Sequence, residues 1–214
     1  MDSPRIVFVH TVASLVDDFS ARAAARLPGV ERTHVVNESL LQDLLDGAPT
    51  AEVYPRIVAE LQAAASSKPD LIVMTCSSTS PAVDLAREVV DVPILKIDDP
   101  LARAAVATGA RIGVICTATS TFEASTELLR SYGATDISPV LLPDAFTALR
   151  AGDRATHDLL VTSAAVELAA SVDVIVLAQA SMAGLTETLR ALLDVPVLSS
   201  PKLLFDELVA LTSR

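Results

Sequence analysis

Short β-branched runs alternate with longer stretches rich in Ala and Leu along most of the chain. Apolar runs at 5–10, 33–36, 71–75 and 94–97, then at 111–116, 137–141, 174–178 and 197–199, predict eight strands. Several are unbroken runs rather than alternating ones, the pattern of strands covered on both faces in a parallel sheet. The intervening segments predict helices near 14–27, 51–67, 80–90, 99–109, 120–132, 154–171, 183–193 and 201–213. Ser80-Pro81 marks the start of one of them, as an N-cap followed by a first-turn proline. Regular β–α alternation of this kind predicts an α/β fold.

Self-comparison sharpens the picture. Arg5-Ile-Val-Phe-Val-His-Thr-Val-Ala-Ser14 aligns with Arg111-Ile-Gly-Val-Ile-Cys-Thr-Ala-Thr-Ser120. Asp70-Leu-Ile-Val-Met-Thr-Cys-Ser-Ser78 aligns with Asp173-Val-Ile-Val-Leu-Ala-Gln-Ala-Ser181, and Asp91-Val-Pro-Ile-Leu95 with Asp194-Val-Pro-Val-Leu198, at one common spacing. Three matches in the same order argue for a duplicated half. We therefore expect two pseudo-symmetric α/β halves, each with a four-stranded, mainly parallel sheet flanked by helices. The first half comprises residues 1–97 plus 200–214 and the second 98–199, with a seam at Ile97-Asp98 and a crossing helix after each fourth strand. No Gly/Ser-rich or Pro-rich linker marks that seam. Ligands of open α/β sheets bind beyond the carboxyl ends of strands, so the expected site is a cleft between the halves. The repeat makes His10 equivalent to Cys116, and Cys76 equivalent to Gln179.

Composition narrows the function classes. With 51% hydrophobic and 20% charged residues in 214, the chain has the apolar content for a packed core and is not disordered. A net charge of −11 without a basic run argues against nucleic acids and anionic membranes as partners. No apolar stretch spans a bilayer and the N-terminal residues do not form a signal peptide, so a cytoplasmic location is expected. Cys76 and Cys116 are far apart and without a CxxC pair, which predicts free thiols, and His10, His34 and His157 lack ligand spacing, which predicts no metal site. The seven glycines form neither a dinucleotide fingerprint nor a Walker loop, so no nucleotide cofactor is expected. The low charge fraction leaves apolar surface for a homodimer.

Candidate chemistry gathers at the strand ends. Cys76 lies in Thr75-Cys76-Ser77-Ser78-Thr79-Ser80-Pro81, a polar turn between an apolar strand and a helix start. A helix N-terminus favours a thiolate, and free amides with hydroxyls can receive a carboxylate. Cys76 is thus the expected reactive thiol, with Ser77 and Ser78 as oxygen-binding neighbours. Thr117, Thr119 and Ser120 repeat that arrangement and either hold a substrate oxygen or cap a helix. Cys116 ends an apolar run and reads as packed. His10, followed by Thr11, is either an acid/base or donor to substrate, or a strand-end histidine satisfied by backbone. His34 and His157 read as surface or edge residues, and Asp98-Asp99 as a helix cap.

These residues resemble the cofactor-independent aspartate/glutamate/hydantoin racemase superfamily, which includes maleate isomerases and arylmalonate decarboxylases. The resemblance covers nearly the whole chain. It is clearest in Val92-Pro-Ile-Leu-Lys-Ile-Asp-Asp-Pro100, in Ala104-Ala-Val-Ala-Thr-Gly-Ala-Arg-Ile-Gly-Val-Ile-Cys-Thr117, and in Asp173-Val-Ile-Val-Leu177. Ala180-Ser-Met-Ala183 is most similar to the hydantoin-racemase branch. The resemblance implies an isomerase acting at Cα of a small carboxylate or carbonyl compound such as an amino acid, hydantoin or dicarboxylate. In the family one cysteine removes the α-proton, an opposing cysteine returns one, and oriented donors stabilise the intermediate. Cys76 matches the first cysteine. Gln179 stands at the second, and its amide cannot exchange a proton at useful pH. The implied substrate contacts are His10, Thr11, Ser77, Ser78, Thr117, Thr119, Ser120, Gln179, Ala180 and Ser181. A decarboxylase using one thiol, a covalent Cys76 nucleophile and a non-enzymatic small-acid binder are the alternatives.

Overall fold

The computed structural model describes residues 3–212 and divides into two compact units. The first runs to Ile97 and resumes at Phe205; the second is continuous from Asp98 to Leu204. Each contains one four-stranded sheet whose pairings are all parallel.

In the first unit the strands β1 (Arg5–His10), β2 (Glu31–Val36), β3 (Leu71–Met74) and β4 (Ile94–Lys96) are ordered β2-β1-β3-β4. The helices between them are α1 (Leu15–Arg26), α2 (Glu38–Leu45), α3 (Thr50–Ala65) and α4 (Ser80–Arg87). β1 is buried at every position after Arg5, which is why its sequence shows no alternation. One face of the sheet, with Val7, Val9, Ile72 and Met74, packs against the α3 stripe Val53, Ile57 and Leu61, whose four-residue spacing stacks them on one side of the helix. On the first unit's Phe8 side, Phe19 of α1 and Phe205 form an aromatic cluster with Phe8.

The second unit begins with α5 (Asp99–Thr108) and continues through β5 (Arg111–Cys116), α6 (Thr119–Ser131), β6 (Asp136–Leu141), α7 (Pro143–Arg150) and α8 (Arg154–Ala169). It ends with β7 (Val174–Leu177), α9 (Thr186–Leu192), β8 (Val197–Ser199) and the start of α10 (Ser200–Thr212). Its sheet order, β6-β5-β7-β8, repeats that of the first unit. One face packs on α8 and the other, with Val114, Cys116 and Val176, on α5 and α6. β5 and α8 approach so closely that a Cβ on Gly113 would lie 2.5 Å from Leu168 Cδ2 and 2.8 Å from its Cγ.

The duplication extends to individual hydrogen bonds. Arg5 N–H donates to Asp70 Oδ2 at 2.7 Å, and Arg111 N–H to Asp173 Oδ2 at 2.8 Å. Arg87 Nε donates to the carbonyl of Ile94, and Arg190 Nε to that of Val197. Thr75 N–H donates to the Val9 carbonyl and Ala178 N–H to that of Ile115.

Three local expectations are corrected. α2 and α7 are helices that the apolar pattern did not predict, because each buries a single side chain, Leu40 and Ala145. α4 starts at Ser80 with Thr79 before it as N-cap; Thr79 donates its hydroxyl to the Cys76 carbonyl instead of capping with it. His157 is fully buried rather than superficial, because it lies on the same stripe of α8 as Val161 and Leu168.

Candidate functional site

In each sheet the chain leaves its first strand towards one edge and returns on that strand's other side. The switch therefore lies between β1 and β3, and between β5 and β7. At such a point neighbouring loops diverge beyond the carboxyl ends and leave room for a ligand. The predicted residues sit there: His10, Thr11 and Cys76 in the first unit, Thr117 and Gln179 in the second.

Cys76 has extended backbone just after β3 and leads into a 3₁₀ turn, Ser77–Thr79. Thr79 fixes the loop through its N–H and hydroxyl, which donate to the Cys76 carbonyl at 3.3 and 2.9 Å. Cys76 retains 9% exposure, Ser77 9% and Ser78 5%, so the turn is a nearly buried row of polar groups. Thr11 is buried beyond β1, and its hydroxyl makes no hydrogen bond among the described residues.

His10 is fully buried with both ring nitrogens engaged. Thr75 Oγ1 donates its hydrogen to the Val9 carbonyl at 3.0 Å and so accepts from His10 Nδ1 at 2.8 Å. His10 Nε2 then accepts from His34 Nδ1 at 2.9 Å, and His34 Nε2 from Ser20 Oγ at 3.0 Å. The single hydroxyl hydrogen of Thr75 thus sets the tautomer of both rings. Burial, reinforced by His34, lowers the His10 pKa to about 4, so the ring is neutral at pH 7. The expectation of a strand-end histidine satisfied by backbone is corrected: both ring nitrogens meet side chains, Thr75 and His34, which the apolar pattern of β1 did not announce. His34 is partly buried, stacked on His10 and Phe8, and not a plain edge residue.

Cys116 is inaccessible. Burial pushes its thiol up to about 12; the charge of Asp98 adds to the rise and the nearby Ser125 hydroxyl opposes it. Thr117 is buried and bonded to Gln179 across the switch point. Thr119 is exposed and Ser120 half-buried; α6 begins at Thr119 after Ala118, without a side-chain cap, so neither residue is the expected helix cap. Ala180 and Ser181, both half-buried, lie in a second 3₁₀ turn, Ala180–Leu185. Asp98 precedes α5 but makes no capping bond; its Oδ1 accepts from Ser200 Oγ instead.

The residues that the sequence did not single out are Thr75, Ser20 and Ser125. Only Thr75 carried a signal, as a hydroxyl closing an apolar strand. The other two lie on α1 and α6, the helices that follow β1 and β5. Among the described residues no group of three or more His, Cys, Asp or Glu is gathered as a metal ion requires. No helix among them is long and apolar enough to cross a membrane.

The model of the Asp/Glu/hydantoin racemase family matches residues 6–208. The chain belongs to that family. A search of curated proteins found no match. The family fold is shared with solved structures of low identity. Allantoin racemase from Klebsiella pneumoniae is 21% identical, with a TM-score of 0.69 over 98% of this chain and 89% of that one. A glutamate racemase isoform from Bacillus anthracis is 18% identical, with a TM-score of 0.76 over 100% of this chain and 83% of that one. An arylmalonate decarboxylase variant is 20% identical, with a TM-score of 0.69 over 98% of this chain and 94% of that one. Each unit here keeps the strand-end loops of the repeat; both thiols are buried, but that of the first unit retains 9% exposure and that of the second none.

Proposed function

We propose that this racemase-family chain is a cofactor-independent enzyme that moves a proton at Cα of a small carboxylate or carbonyl compound, with Cys76 as the acid/base. The observation that carries this reading is the contrast between the two thiols. Cys76 retains some exposure in a loop of hydroxyls at a switch point, whereas Cys116 is sealed and held protonated. Ser77 and Ser78, with the amides of their 3₁₀ turn, are suited to hold carboxylate or carbonyl oxygens. Donors aimed at an oxygen that gains charge stabilise an enolate-like intermediate, and such electrostatic terms are often the largest in acyl and carbanion chemistry. The acidic overall charge fits a small substrate rather than a nucleic acid.

The test is solvent-deuterium exchange at Cα, followed by proton NMR, over glutamate, aspartate, allantoin and 5-substituted hydantoins. Exchange into at least one of them, abolished in Cys76→Ser, is expected. Exchange that survives Cys76→Ser would remove the assignment. Gln179 favours a second reading. Decarboxylation generates its carbanion without a base, so one thiol is enough to protonate it. Carbon dioxide release from an arylmalonate, with no Cα exchange in the amino acids or hydantoins, would select that reaction.

A further inference from the structure

The residue that departs from the family pattern is held by its own unit in a single orientation. Thr117 N–H donates to Gln179 Oε1 at 2.6 Å, and Thr117 Oγ1 donates to the same oxygen at 2.9 Å. A carboxamide's oxygen and nitrogen are alike in shape, but a backbone N–H can only donate. The atom facing it must be the oxygen. Two donors occupy both lone pairs of that oxygen, so Gln179 has no accepting capacity left. Its NH2 group has two hydrogens and no hydrogen-bond partner among the described residues. Gln179 itself is only half-buried, beyond the carboxyl end of β7.

We propose that Gln179 is a specificity-determining residue, which binds an acceptor oxygen of the substrate through its Nε2 hydrogens and rejects an ammonium or N–H group there. This deepens the proposed function and rests on it. A thiol at residue 179 could give or take a proton. A carboxamide saturated at oxygen can only donate a hydrogen bond, so the role changes from proton transfer to recognition. The donated bond goes to carboxylate or carbonyl oxygen. A positive ligand group would meet the positive end of the amide dipole, with nothing to accept its hydrogens. Sites built around one polar partner discriminate strongly against ligands that lack it, because the buried group is left unpaired. Thr117 is the positioning residue: its two bonds decide which end of the amide is presented.

Malonate serves as a doubly acidic probe and 1,3-diaminopropane as a cation of similar length. Gln179→Glu keeps an oxygen for Thr117 but replaces the NH2 group by a second oxygen. By calorimetry at pH 7.5, wild type should bind malonate and not the diamine. Gln179→Glu should lose malonate affinity by about tenfold or more, since a charge-assisted bond is replaced by repulsion. Assigned Gln179 Nε2 resonances of the wild-type protein should shift on adding malonate, a readout that does not depend on any variant folding. Unchanged malonate affinity in a folded Gln179→Glu, unmoved Gln179 Nε2 resonances, or no malonate binding by wild type would overturn the proposal. Its failure is separable from that of the catalytic reading. Cα exchange with malonate affinity unaltered in Gln179→Glu removes the recognition role alone; Gln179-dependent malonate binding without any exchange removes the catalytic role alone.

Discussion

Acidification should destabilise the first unit through His10, and the structure sets the size and range of the effect. The ring lies among Phe8, Phe19 and His34, and its two nitrogens have a hydroxyl and a second imidazole as partners. Protonating Nε2 would set its N–H directly against the N–H of His34 Nδ1. The native ring therefore binds its proton only near pH 4, whereas the unfolded chain does so near the ordinary 6.5. Between these values the unfolded state holds more protons, so stability falls as pH falls, by about 1.4 kcal/mol per pH unit at the steepest. His10 alone then removes about 3 kcal/mol once pH has dropped from neutrality to about 4. About 1.5 kcal/mol of this is lost between pH 6.5 and 5, before most carboxylates titrate. His34, lowered chiefly by burial and further by the charge of Arg32, acts in the same direction. Urea unfolding across this range, extrapolated to water, measures the loss, and His10→Gln supplies the comparison. Equal pH slopes for both proteins, or a His10 ring that titrates near 6.5 by NMR in the native state, would show that His10 is not the source of the loss.

Three further outcomes are expected. Iodoacetamide at pH 8 should alkylate Cys76 well before Cys116, whose thiol is pushed up to about 12, and peptide mass spectrometry locates the adduct. Wild type should exchange deuterium into a bound substrate faster than it inverts that substrate, because only one thiol is available. Gln179→Cys should narrow that gap by about a hundredfold, measured by NMR against circular dichroism, and efficient inversion by wild type would mean that another group supplies the second proton. Gly113→Val should cost about 1–3 kcal/mol in urea unfolding, since its side chain would have to displace Leu168 in the β5–α8 contact.

The sheets were readable because central parallel strands are buried on both sides, so β1, β3, β5 and β7 appear as uninterrupted apolar runs. The edge strands were readable only in part. β2 starts at Glu31 and β6 at Asp136, in polar residues whose strand character comes from pairing with Arg5 and Arg111. Pro139, which donates no ladder bond, is tolerated in β6 because that strand lies at the sheet edge. The polar turn at Cys76 and the equivalence of Gln179 followed from the repeat. The chain of bonds from Ser20 through His34 to His10 did not, because nothing in sequence spacing announces that a helix will bring a hydroxyl to a strand-end imidazole. The inaccessibility of Cys116 was legible as an apolar strand end. Its further suppression by Asp98 was not, since Asp98 reads as a helix cap and is turned instead towards Ser200.

The aromatic cluster of the first unit also has a consequence for the order in which the chain matures on the ribosome. Phe8 and Phe19 precede the second unit in the chain, yet Phe205, which completes their packing, follows all of it. The second unit is continuous and has its whole sheet by Ser199. During synthesis the first unit must therefore wait, with its aromatic cluster incomplete, while the later-made second unit has its full complement of strands. Nascent chains stalled at residue 204 should accordingly show a protease-sensitive first unit, which becomes resistant once the segment carrying Phe205 and Leu208 has emerged.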